Sequence, residues 1–98
     1  MQKRLSTYIV IFAYVPSQAD KYAELSVVLS QHYFSHITAD PYGIPRELPA
    51  STYAYTCFQD IDFVDGFVRS LLLSVTDFRP EIRILPLDAY YSYHRQYR

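Results

Sequence analysis

Two glycines, one cysteine and no tryptophan in 98 residues set the first limits on this chain. With glycine so scarce there is no Gly-rich loop to cradle a phosphate through backbone N–H groups, and no Ser-His-Asp arrangement or zinc motif is visible. Cys57 stands alone, so it can form neither an intramolecular disulfide nor a Cys-based zinc site, which fits a reducing cytoplasm. An excess of positive charge is also missing. Nine Lys and Arg against ten Asp and Glu leave a formal net charge of −1, which excludes a broadly basic surface and makes any RNA contact local. The basic residues that gather late in the chain are Arg79, Arg83, His94, Arg95 and Arg98. Long hydrophobic runs are absent too: the apolar stretch 8–15 stops at Pro16, too short for a signal-peptide core or a membrane span. These absences point to a soluble, cytoplasmic protein.

What the chain does have is apolar bulk. Half of its residues are hydrophobic, enough for one small core and one domain over 1–98. β-Branched and aromatic residues at 8–15 predict a first strand. Ser17 or Asp20 can cap a helix in which Tyr22, Leu25, Leu29 and then His32 or Tyr33 recur at helical spacing. Residues 34–39 and 51–57 read as strands. Between them Pro41, Gly43, Pro45 and Pro49 forbid regular helix. Asp60 or Gln59 can cap a second helix with an apolar set of Val64, Phe67, Val68, Leu71, Leu72 and Val75, ended by Phe78-Arg79-Pro80. A last strand at 81–85 stops at Pro86, and 87–98 is either a short helix capped near Asp88 or an aromatic tail on the body. The order β-α-β-β-α-β predicts a ferredoxin-like α+β fold, a four-stranded antiparallel sheet with both helices on one face.

The stretch 34–48, FSHITADPYGIPREL, carries the most chemistry. Gly43 suits a type II turn with φ > 0, and the rigid loop then aims Asp40, Tyr42 and Arg46 outward. The plainer alternative is a stiff hairpin whose charges only keep it soluble. The first strand sorts into Ile9, Ile11 and Ala13 on one face and Tyr8, Val10, Phe12 and Tyr14 on the other. If the aliphatic set meets the helices, the aromatic set lies on the open sheet face with Tyr53 and Tyr55, where it can stack unpaired bases. Such patches are more often covered, by a second copy in a homodimer through the sheet face or by the tail residues Tyr90, Tyr91, Tyr93 and Tyr97. His32 and His36 have the spacing of a helical ligand pair, but the helix ends between them and no third ligand is near, so no metal is expected. Asp60, Asp62 and Asp65 suit the N-terminal end of the second helix.

The match Ala39-Asp40-x-Tyr42-Gly43-Ile44-Pro45-Arg46 resembles the ADEYGIPR-type segment of the GhoS family, the antitoxin endoribonucleases of type V toxin-antitoxin systems. The resemblance continues at Thr7-Tyr8-Ile9-Val10, Phe34-Ser35 and Asp88-x-Tyr90. It implies a ferredoxin-like, sequence-specific endoribonuclease, which cuts the mRNA of a small membrane-damaging toxin and has single-stranded RNA as its partner; no cofactor is expected, since a metal-independent route suits the sequence best. The chain departs from the family pattern at Ala13, where an acidic residue is usual, and in the first helix, where Lys21 stands in place of arginines. With Ala13 there, catalysis rests elsewhere or is lost. The chemistry that suits the remaining residues is attack of an RNA 2′-hydroxyl on its neighbouring phosphate. Arg46 holds that phosphate, Asp40 or His36 serves as general base, and Tyr42 stacks on a base. The rival reading is a non-catalytic RNA-binding or protein-interaction module of the same fold.

Overall fold

Strand β1, Ser6–Phe12, owes its central place to side chains that are apolar on both faces. In the computed structural model, which describes residues 4–75 and 77–94, it lies between β4, Thr52–Cys57, and β5, Ile82–Pro86, antiparallel to both. Arg95, Tyr97 and Arg98 lie outside the described residues. Two further strands, β2 (Ile37–Ala39) and β3 (Pro45–Glu47), form a separate hairpin with Thr38 opposite Arg46. Helices α1 (Ala19–Gln31), α2 (Ile61–Leu72) and α3 (Leu87–His94) complete an α+β fold. None of these helices is long and apolar enough to cross a membrane.

The four-stranded ferredoxin-like sheet is therefore corrected to three strands plus a hairpin. The segment 34–39, expected as a strand of the main sheet, touches it through one bridge among the described residues, in which Ser35 and Ala54 exchange N–H···O bonds of 2.9 and 2.7 Å. The ladder stops there for a local reason. Ser35 Oγ accepts the Ile37 N–H and donates to the Ile37 carbonyl, each at 3.0 Å, and so takes the groups that pairing would use. The chain then turns away into β2.

The two faces of β1 are covered in the opposite sense to that expected. Tyr8, Val10 and Phe12, with Tyr53 from β4, point towards α1 and α2 and form the main core with Tyr22, Leu25, Leu29, Val64, Val68 and Phe78. Full burial of side chains such as Phe12, Leu25 or Val64 contributes about 1.5–3 kcal/mol each before entropy is counted. On the other face Ile9 and Ala54 pack with Leu48 and with Tyr90 of α3, bordered by Ile11, Leu85, Leu87 and Tyr91. That face, for which a second copy or the aromatic tail was expected as cover, carries the chain's own third helix. Of the two readings of 87–98, the short helix is the one formed, over Leu87–His94, and its Tyr90 and Tyr91 cover the sheet.

Local signals decide the helix ends. Asp60 caps α2 as expected, accepting the Phe63 N–H at 3.0 Å. At α1 neither Ser17 nor Asp20 caps; a 3-10 turn at Pro16–Gln18 leads in, and no side chain bonds at Gln18. The far end of α1 closes with Phe34 N–H on Leu29 O and Tyr33 N–H on Ser30 O, which places Tyr33 at φ +69°.

Candidate active site

The hairpin β2–β3 is built from its turn. Asp40 N–H donates to the Ile44 carbonyl and Gly43 N–H to the Asp40 carbonyl, both at 2.9 Å. Gly43 has φ +80° while Tyr42 keeps a negative φ. This is the pattern of a type I turn followed by a left-handed glycine bulge, so the type II turn is corrected: the glycine follows the turn instead of lying within it. A Cβ on Gly43 meets nothing within 4 Å, so the need for glycine comes from backbone conformation alone.

Asp40 organises what surrounds it. Its Oδ1 accepts the N–H groups of Tyr42 and Ile44, and its Oδ2 accepts Arg46 Nε, all at 2.9 Å. The Ile44 amide, helped by Arg46 and Tyr42 and opposed by desolvation, holds the Asp40 carboxyl below the usual carboxylate range. A carboxylate satisfied by three donors aims a loop; it is poorly suited to accept a proton near neutrality. Arg46 is the exposed member of the pair, its side chain 60% accessible against 8% for Asp40. Among the described residues Asp40 is its one polar partner, so the rest of the guanidinium fork faces solvent.

The other expected residues fall into three groups. Tyr42 stands at the hairpin tip, 85% exposed. His36 is exposed at the root of the hairpin, where its carbonyl accepts the Leu48 N–H at 2.6 Å, and its ring packs on Tyr53 at 4.5 Å. Among the described residues no hydrogen bond or ion pair joins His36 to Asp40 or Arg46. Tyr8 and Tyr53 are buried beneath the helices, and the Tyr8 hydroxyl donates to the Gln59 carbonyl at 2.8 Å. Tyr55 is half-buried and stacked on Phe34 at 4.4 Å, with burial and then the Cys57 charge raising its phenol pKa. The open platform of Tyr8, Tyr53 and Tyr55 is therefore corrected: β1 and β4 set all three on the helix side, with Tyr8 and Tyr53 in the core and Tyr55 packed against it.

Ala13 follows β1, with its N–H on the Glu81 carbonyl and its own carbonyl accepting the Tyr22 hydroxyl. An open groove runs along the start of β1 and the β5–α3 junction, lined by Arg4, Thr7, Pro86 and Asp88 among others, and no hairpin residue lines it. Tyr91 of α3, read from the sequence only as part of the tail that covers the sheet, packs on the face that also holds Leu48. Leu87, Tyr90 and Tyr91 are spaced to share one helix face, which is the signal that could have set it towards the sheet.

Fold and hairpin together define a class: a small α+β protein that presents one anchored arginine and one exposed tyrosine on a rigid hairpin at the edge of its sheet. The model of the family described as endoribonuclease GhoS matches residues 2–93, and the chain belongs to that family. At that level it is an endoribonuclease, and its substrate class is RNA.

Proposed function

We propose that this chain is an antitoxin endoribonuclease that cuts the mRNA of a small membrane-damaging toxin, with Arg46 as the residue that holds the scissile phosphate. The observation that carries the reading is the guanidinium itself, held at the surface by a single bond to Asp40 while the remainder of its fork is open. A planar guanidinium grips a phosphate bidentately and keeps its charge at every working pH. The RNA 2′-hydroxyl attacks the adjacent phosphorus, the bond to the 5′-oxygen breaks, and a 2′,3′-cyclic phosphate and a 5′-hydroxyl end result. Arg46 offsets the charge that builds on the phosphate oxygens. Asp40 positions Arg46, His36 at the hairpin root takes the 2′-hydroxyl proton, water supplies a proton to the departing 5′-oxygen, and Tyr42 stacks on a base.

Incubation of single-stranded RNA with the protein, with and without EDTA, tests the reaction. Cleavage that survives EDTA and leaves cyclic phosphate ends supports this route. Arg46→Ala is expected to lower the rate on the order of a hundredfold, as loss of ~3 kcal/mol of transition-state stabilisation implies. Its thermal unfolding should barely change, since surface substitutions stay within about 0.5 kcal/mol. A folded Arg46→Ala protein that cuts at the wild-type rate removes Arg46 from the site; an unfolded one makes the arginine structural. Arg46→Lys separates bidentate grip from simple charge attraction, because lysine retains only the second.

A further inference from the structure

Thr38 stands in the middle of β2, and the hairpin register sets it directly opposite Arg46. Residues opposite each other in an antiparallel ladder share a face, as do residues two apart along a strand. Thr38 and Arg46 therefore form one side of a square on the hairpin face, and Asp40 and Ile44, joined by the Asp40 N–H, form the other. The Arg46 side chain crosses this square on the diagonal, because its Nε donates to Asp40 Oδ2 at 2.9 Å. Thr38 and Ile44 flank its path, and they differ in chemistry. Ile44 is aliphatic and exposed. Thr38 is half-buried and carries a hydroxyl, which has no hydrogen bond among the described residues. The other described threonines use theirs within the fold: Thr7 and Thr56 bond each other at 2.7 Å, and Thr52 donates to the Ala50 carbonyl at 3.5 Å. On the hairpin face Asp40 already has donors on both oxygens, and a guanidinium accepts nothing.

We infer that Thr38 is a second RNA ligand of this site: its hydroxyl donates to a non-bridging oxygen of the phosphate that the Nη end of Arg46 grips. This rests on the reading of Arg46 as the phosphate ligand. A phosphodiester presents acceptors only, so a hydroxyl donor can serve it beside a guanidinium fork. Arg46 stays anchored to Asp40 at Nε throughout and meets the phosphate with its Nη groups alone. A single planar fork leaves the phosphate able to tilt about its edge. A short donor rooted in the opposite strand, on a β-branched side chain that is stiff at χ1, fixes that tilt. It adds no charge, which suits a chain of net charge −1 that holds RNA through few contacts.

The test is Thr38→Val, which removes the hydroxyl and keeps a β-branched strand residue, beside Thr38→Ser, which keeps the hydroxyl. Both are compared with Arg46→Ala and with the double variant Thr38→Val/Arg46→Ala. The readouts are thermal unfolding and binding of a short fluorescein-labelled single-stranded RNA of random sequence, 2′-O-methylated so that it is held and not cut. Thr38→Val is expected to melt at or above the wild-type temperature and to bind about tenfold more weakly, the effect of one lost hydrogen bond to a charged group. Thr38→Ser should retain most of the affinity. In the Arg46→Ala background Thr38→Val should cost little further, since the phosphate is no longer held beside it. Wild-type affinity for Thr38→Val, with Arg46→Ala impaired, overturns the hydroxyl contact and leaves the phosphate reading intact. Equal losses in Thr38→Val and Thr38→Ser also overturn it, because they make side-chain shape the cause. Additive losses in the double variant overturn it by placing Thr38 on a different part of the RNA. A Thr38→Val protein that melts below wild type overturns it by making the hydroxyl structural. If Arg46→Ala binds like wild type, the phosphate reading fails first and this inference falls with it.

Discussion

Asp40 and Arg46 divide one task between two side chains. The carboxylate is little exposed and fully engaged, the guanidinium is exposed and engaged at one nitrogen, and the difference assigns architecture to the first and contact to the second. This division has a consequence in acid. The Asp40 pKa is lowered in the folded chain, so what the carboxylate contributes to the hairpin is fully present above the ordinary aspartate value and is lost only as pH falls through the lowered one. The amide signals of Tyr42 and Ile44, whose N–H groups bond to Oδ1, are therefore expected to hold steady on acidification past the ordinary aspartate pKa and to shift below it. A midpoint at or above the ordinary value, followed by NMR, would show that the carboxylate is not so held. The exposed Tyr42 and Arg46 were legible in the sequence because prolines and a glycine crowd around them. The inward turn of Asp40, expected to point outward, was not, because it depends on the amides of Tyr42 and Ile44 converging on one oxygen.

At the scale of the element, the hairpin depends on one backbone angle. Gly43 at φ +80° sets the bulge that turns β3 back along β2 and brings Arg46 opposite Thr38. Alanine there meets no steric neighbour yet must adopt a left-handed conformation, which costs about 1 kcal/mol. Gly43→Ala is accordingly expected to lower the urea midpoint slightly and RNA cleavage more strongly, since Arg46 loses its aim. Unchanged cleavage in that variant would separate the bulge from the site. The helices α1 and α2 were readable from periodicity, and their buried residues Leu25, Leu29, Val64 and Val68 are those the 3.6-residue spacing selects. The strand expected at 34–39 was placed in the main sheet because its extended character carries no sign of the Ser35 side chain competing for Ile37. The faces of β1 were misassigned for a related reason. Both are apolar, and which face meets the helices is settled only by register, where Tyr8 pairs Tyr55 and Val10 pairs Tyr53.

At the scale of the whole molecule, most of the described sheet is covered: one side lies beneath α1 and α2, and on the other Ile9 and Ala54 lie beneath Tyr90 of α3. The proposed RNA contact therefore uses the hairpin at the edge. Charge points the same way. A chain of net charge −1 holds RNA through a few well-placed cations, and two of the acidic residues near the hairpin and α2 are already tied up, Asp40 with Arg46 and Asp65 with Arg69. RNA affinity is therefore expected to fall only gently with salt, because the slope of log K against log [salt] counts the phosphates neutralised. A titration of labelled single-stranded RNA across a range of salt concentrations measures that slope in wild type and in Arg46→Ala. The variant should lose about one phosphate's share of it, roughly 0.7 in the slope for a single strand. A wild-type slope that corresponds to about six or more phosphates would place most of the binding on a basic surface other than the hairpin. An unchanged slope in Arg46→Ala would mean that the Arg46 guanidinium neutralises no phosphate.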